Sequence, residues 1–143
     1  MIKNKNISLV VALATTLMAC NSTTDLPTTE KLPGKFYVVS IQGKRVIDNS
    51  HAQLSFNADN KLTGSASCNN ISSSYNSKNH SLSIGAIATT RKMCKPALMD
   101  QETLLLQAIS KVKRFQLISG QLSMYDQQGQ LQITAKRIKK TQP

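Results

Sequence analysis

From Lys35 onward the chain alternates between apolar and polar positions. KFYVVSI (Lys35 to Ile41) crowds β-branched and aromatic residues together, then breaks at Gln42-Gly43. AQLSF (Ala52 to Phe56) sets Leu54 and Phe56 on one face, and turn formers follow from Asn57 to Asn60. KLTGSASC (Lys61 to Cys68) then alternates Leu62, Gly64, Ala66 and Cys68 against Thr63, Ser65 and Ser67. Period-two runs bounded by turn residues read as a hairpin. The small residues on its inner face imply a close approach by whatever packs over them. SSSY and SLSI flank Asn76 to His80 as a second hairpin, and RFQLI and QLSMY flank Ser119-Gly120 as a third. QLQITA (Gln130 to Ala135) places Leu131, Ile133 and Ala135 on one face. About eight strands at this spacing predict a barrel or a sandwich. Their inward residues are Leu54, Phe56, Leu62, Leu82, Ile84, Phe115, Leu117, Leu122, Met124, Leu131 and Ile133. Side chains of that bulk fill a small barrel by themselves.

One segment departs from period two. In PALMDQETLLLQAISKV (Pro96 to Val112) the apolar positions are Leu98, Leu105, Ile109 and Val112, with Leu104 and Ala108 beside them. Offsets of three, four and seven describe one face of a helix. Pro96 suits its first turn, Asp100 and Glu102 sit early, and Lys111, Lys113 and Arg114 sit late, as the helix dipole favours.

The amino terminus has another character. Lys3 and Lys5 precede an apolar run from Ile7 to Leu17, which closes on Leu17-Met18-Ala19-Cys20. That is a secretory leader, residues 1–19. Its apolar run is about a dozen residues, short of the roughly 20 that span a bilayer as a helix. The closing tetrad resembles a bacterial lipobox, which implies cleavage before Cys20 and acylation of it. Two or more acyl chains anchor stably where one does not. Asn21 follows the cysteine in place of the aspartate that retains lipoproteins in the inner membrane. The resemblance therefore implies an outer-membrane anchor with the domain facing the periplasm. Residues 20–33 are rich in Thr and Pro and read as a tether, so the folded domain is expected at 34–137 and a basic tail at 138–143.

Location changes the reading of charge. The whole chain carries +11; without the leader, 16 Lys and Arg face 7 acids, leaving +9. Nucleic acid is the common partner of such a balance, but an envelope protein meets little of it. Outer-membrane lipid, anionic envelope polymers or an envelope protein are the expected partners, and no nucleic acid. The alternative is that the charge serves solubility alone. Lys136, Arg137, Lys139 and Lys140 form a basic run that would touch an anionic membrane or else be solvated.

Location also bears on the thiols. Apart from Cys20, Cys68 and Cys94 remain. Arg91 and Lys92 precede Cys94, an arrangement that lowers a thiol pKa. An even pair in an oxidising compartment is nevertheless read first as a disulfide, with free thiols or a metal or catalytic role as alternatives. Asn69 and Arg91 flank the pair, either as a recognition patch or as a turn cap and a partner for a carbonyl or acid. No Gly-x-Ser-x-Gly elbow is present, the acids are few, and His51 and His80 fall in turns without metal-ligand spacing. The reading is non-enzymatic, without cofactor or metal, and monomeric.

SASCNN (Ser65 to Asn70) and TTRKMC (Thr89 to Cys94), followed by the helix and a closing hairpin, resemble the META-domain family, and more narrowly its HslJ-like heat-shock lipoproteins. The similarity covers about Leu32 to Arg137. Asn70-Ile71 stands where members often carry Arg-Phe, and Phe36 where many carry Trp. The resemblance implies a mainly β fold with one helix, a small antiparallel barrel of lipocalin-like topology. It also implies a role in heat or envelope stress, novobiocin tolerance included. A carrier holding a small apolar ligand inside the barrel is the alternative.

Overall fold

Strands that alternate in this way must bury one face, and closing on themselves removes every edge. The structure, a computed structural model, describes residues 31–139. Its elements in chain order are β1 (Gly34–Ile41), β2 (Lys44–Arg45), β3 (Gln53–Phe56), β4 (Lys61–Ser65), β5 (Asn70–Lys78) and β6 (Ser81–Ile84). Then come β7 (Ala88–Thr89), α1 (Pro96–Lys111), β8 (Arg114–Ile118), β9 (Gln121–Tyr125) and β10 (Leu131–Arg137). The order β10-β9-β8-β6-β5-β4-β3-β1 closes when β1 pairs antiparallel with β10, from Phe36↔Arg137 to Ile41↔Ile133. The result is a mainly β, closed antiparallel barrel of eight strands, with β2 and β7 attached outside the ring. Its thinnest seam is β6–β8, joined in register only at Ser81↔Arg114. Two flanking bonds reinforce it, Leu82 N–H to Lys113 O at 2.9 Å and Phe115 N–H to His80 O at 2.8 Å. Between those two strands the chain leaves the ring, pairing briefly with β5 as β7 and then forming α1.

The barrel has two ends. At the N-terminal mouth, Lys31 to Gly34 arrive and the 57–60, 79–80 and 119–120 turns gather. At the helix end lie α1, the Gln42-Gly43 turn, the Ser67 to Asn69 loop and the 126–130 turn. The interior between them is filled. Phe36, Leu54, Phe56, Leu62, Leu82, Leu117, Leu122, Met124 and Ile133 are each under 2% exposed, and Leu105, Ile109 and Val112 close the helix end. Burying such a side chain fully stabilises by about 1.5–3 kcal/mol relative to leaving it in water. Phe36 and Phe56 meet edge to face at 6.1 Å, and Phe56 and Tyr75 at 5.1 Å. The inner face of β4 is small because β3 lies against it: a Cβ on Gly64 would press into the backbone carbonyl of Gln53.

Five expectations need correction. The turn expected from Asn76 to His80 is only Asn79-His80, because β5 stays paired with β6 as far as Lys78. Leu131 is 39% exposed rather than in the core, because β10 shifts register against β9 between Leu131 and Ile133. One additional residue flips the alternation, so Gln132 is buried instead. Leu104 is likewise exposed, and Gln101 takes the place beside Leu105, Ala108 and Ile109 on the inner face of α1. Pro96 does open the helix, but the first turn holds no acid. Finally, the ordered chain begins before Gly34: Leu32, expected in the tether, is 2% exposed.

Burial pushes the Tyr75 hydroxyl above the ordinary tyrosine range, and the charge of Asp59 adds to it. That hydroxyl donates to Asn57 O at 2.7 Å. A folded-state pKa raised above the unfolded value gives stability that is full below about pH 10 and lost as pH rises beyond it. Tyr75→Phe is expected to remove that alkaline decline and to cost about 1 kcal/mol at neutral pH. Urea midpoints measured between pH 7 and 11 check both; parallel pH profiles for the two proteins would refute the linkage.

Candidate functional site

Cys68 and Cys94 form the disulfide, with S–S 2.10 Å and Cα–Cα 5.9 Å. It ties the loop after β4 to the residue two before α1. Both thiols are thereby removed from nucleophilic or metal chemistry. The cations beside Cys94 are exposed and activate nothing.

Asn69 and Arg91 do not form a joint surface. Asn69 is 5% exposed, and its amide is used inside the protein. Nδ2 donates to Glu102 Oε1 at 2.9 Å; Oδ1 accepts from Lys92 N–H at 2.7 Å and from the Thr90 hydroxyl at 2.8 Å. The Asn69 N–H donates to Glu102 Oε2 at 2.8 Å. Glu102 is therefore no dipole partner at the helix start; its carboxylate grips both donors of Asn69. Arg91 lies exposed outside this cluster. Nothing in the spacing of Asn69 and Glu102, 33 residues apart, announces the pair.

Gln101 does similar work one position earlier. Its Oε1 accepts from Ile47 N–H at 2.8 Å, and its Nε2 donates to Ser50 Oγ at 2.7 Å. The Ser67 hydroxyl lies 3.3 Å from the same Nε2. Two loops, the one before β3 and the one after β4, thus converge on the first half of α1.

The basic run divides. Lys136 and Arg137 are the last residues of β10, paired with Tyr37 and Phe36, not part of a solvated tail. Arg137 is a latch: its guanidinium donates to Pro33 O and Lys31 O, each at 2.9 Å, and lies 4.9 Å from the centre of the Phe36 ring. These contacts flank Leu32 and hold the incoming chain against β10. Lys136 and Lys139 are exposed. Lys140, Cys20, the leader and most of the tether lie outside the described residues.

Open clefts lie on the surface at both ends. At the N-terminal mouth, one of about 650 Å³ is lined by Gly34, Lys35, Phe56, Ala58, Ile138 and Lys139, among others. At the helix end, one of about 610 Å³ lies between Gln42, Lys111, Lys113, Asp126, Gln130 and Gln132, with Gln127, Gln128 and Leu131 on its margin. Asp126 is held from several sides. Oδ1 accepts from the N–H groups of Gln128 and Gln130 at 3.0 and 2.8 Å, and Oδ2 from Gln132 Nε2 at 2.8 Å. The run of glutamines was legible in the sequence as DQQGQLQ; that Gln42 and Lys111 join it was not. Among the described residues, no three His, Cys, Asp or Glu side chains gather as metal ligands. His51 and His80 are both exposed. No helix among the described residues is long and apolar enough to cross a membrane.

The META domain family model matches residues 24–138. A protein solved by NMR is 25% identical, covering 73% of this chain and 88% of its own, with a TM-score of 0.58. An NMR structure of a protein from Burkholderia xenovorans is 20% identical over 97% of this chain and 100% of its own, with a TM-score of 0.61. A crystal structure of a DUF4847 family protein from Bacteroides vulgatus is 14% identical over 75% and 94%, with a TM-score of 0.57. The last two share the fold. No curated protein matches in sequence.

Proposed function

The chain belongs to the META-domain family, and from that premise we propose that it is a non-enzymatic binding domain held on the bacterial outer membrane. The lipocalin-like small barrel supports the binding role. The anchor is acylated Cys20, on the lipobox resemblance, and the domain faces the periplasm as a monomer.

One observation carries the orientation. The chain arrives from the tether at the same mouth that presents Lys35, Lys136 and Lys139, all exposed. Asp59, on the turn beside it, is paired with Lys61 at 3.3 Å. A tether of this kind brings that mouth to the headgroups, where each cation contributes about 1 kcal/mol against anionic lipid. Amine labelling of the acylated protein in vesicles tests this. On anionic vesicles at low salt, Lys35, Lys136 and Lys139 are expected to label several-fold more slowly than Lys44 and Lys95. On zwitterionic vesicles, or at high salt, the difference is expected to vanish. Equal labelling of all five lysines on anionic vesicles would reject the orientation.

The HslJ-like resemblance gives this binding its cellular role, tolerance of heat or envelope stress and of novobiocin. Unaltered survival of a deletion strain under both challenges would count against it. A second reading is favoured by the cleft beside Phe56, Ala58 and Ile138 with Lys35 and Lys139 at its rim. It suits a small amphipathic molecule carried at the barrel mouth, since the interior is occupied by side chains. Saturable quenching of a fluorescent fatty acid, weakened by Ile138→Asp, is the expected sign; unsaturable partitioning would dismiss the carrier.

A further inference from the structure

We propose that the glutamine-lined cleft at the helix end binds a carboxylate-bearing peptide segment. Its floor is fixed by folding. Gln132, at the register shift of β10, is 4% exposed. Its Nε2 donates to Asp126 Oδ2 at 2.8 Å, and its Oε1 accepts from Gln42 Nε2 at 3.1 Å. An amide held from both sides presents the same face at all times.

Gln42 is fixed as well, its backbone N–H donating to Gln132 O at 2.7 Å. Its φ is +49° and that of Gly43 is +78°, the left-handed pair of a tight hairpin turn between Ile41 and Lys44. Asn or Gly adopts the first position of such a turn with less strain than Gln. The strained residue is the one whose side chain crosses to Gln132 and lines the cleft. The turn itself requires those angles, as the Ser119-Gly120 turn does at +50° and +76°; what it gives the cleft is a fixed aim of the Gln42 amide at Gln132.

The walls define the ligand. Lys111 and Lys113 place two ammonium groups along one side. The exposed glutamines of the 126–130 turn offer both donors and acceptors, which match the alternating N–H and C=O groups of an extended peptide. The Asp126 carboxylate is buried and faces three donors of the protein itself, and its single charge is outnumbered by the two lysines that line the cleft. None of the lining side chains is aromatic, so a sugar ring finds no stacking platform. Leu131 gives only a narrow apolar shelf. Cation pair and amide array together fit an acidic peptide better than a polysaccharide. Two sources share that chemistry: a polypeptide segment, and the stem peptide of a cell-wall polymer. The site goes beyond the membrane reading and does not need it, because β1 separates the two ends by about 23 Å at roughly 3.3 Å per residue.

Fluorescence anisotropy with the full-length protein in detergent tests the site. One dye-labelled probe alternates alanine and glutamate, all L; the other alternates L- and D-residues with the same carboxylates. Saturable one-site binding of at least one probe at low salt is expected. Preference for the first assigns a polypeptide source, and preference for the second a wall source. Affinity is expected to fall roughly tenfold or more in Lys111→Ala/Lys113→Ala, which removes two charge-assisted contacts, and also to fall in Gln42→Gly. Lys35→Gln/Lys136→Gln, at the opposite mouth, is expected to bind unchanged, so failure of the membrane reading would leave this result intact. Lys111 and Lys113 are exposed, so their double variant keeps the fold, and its melting curve verifies that. No saturable binding of either probe, undiminished binding by the lysine variant, or binding confined to an anionic polysaccharide would overturn the proposal.

Discussion

Replacing Cys68 and Cys94 together by alanine is expected to destabilise the domain by about 3.5 kcal/mol on the chain-entropy model of loop closure. The two residues are 26 apart in sequence, and the bridge removes that loop's freedom from the unfolded chain. For a domain of this size, the loss corresponds to a fall in melting temperature of more than about 10 °C. The effect in the native state is local as well. The bridge fixes the start of α1, and α1 closes one end of the barrel with Leu105, Ala108 and Ile109. Hydrogen exchange in the double variant is therefore expected to quicken first in α1 and in the Ser67 to Asn69 loop, while β9 and β10 keep most of their protection. A melting temperature within about 3 °C of the parent, under conditions where the parent is fully oxidised, would show the bridge to be incidental to the fold.

Asn69→Ala is expected to cost about 2–4 kcal/mol, although the side chain is small and contributes little apolar area. The reason is what it leaves behind. Glu102 Oε1 loses its amide donor, and the Lys92 N–H and Thr90 hydroxyl lose their shared acceptor. Asn69→Asp is expected to be worse than alanine, because it sets a carboxylate against Glu102. Pairing it with Glu102→Gln is expected to recover part of the loss. Urea unfolding of the four proteins as a double-mutant cycle measures the coupling. Additive effects at the two positions would mean that the short distances carry no energetic link. Residues 68 and 69 are neighbours, so the cycle is run with the disulfide intact.

Both expectations concern the same few residues, and they were legible to different degrees. The disulfide followed from the number of thiols and the expected compartment alone. Asn69 was visible only as a residue beside a cysteine, readable as a surface contact or as a turn cap. What decided its role was Glu102 arriving from α1, and the separation of those two residues in the chain carries no periodic signal. Arg137 is a similar case. In the sequence it is one cation in a basic run; in the fold its guanidinium meets two carbonyls of the incoming chain and the face of Phe36. The glutamines of the 126–130 turn carry no signal of a site by themselves, because a cleft needs walls, and Gln42 and Lys111 reach it from other elements.

The eight strands of the ring, the helix and most of the core could be read from the chain alone, because alternation and a 3.6-residue period are local consequences of where side chains point; the two-residue strands β2 and β7 are too short to show a period. The three-dimensional fold was needed to show that the ribbon closes through β1 and β10, that one register shift turns Leu131 outward and Gln132 inward, and which polar residues meet across the helix end. Closure and the pairing of Asn69 with Glu102 depend on groups far apart in the chain; the register shift lies inside the β9–β10 hairpin, where one additional residue leaves the apolar alternation of the sequence unbroken.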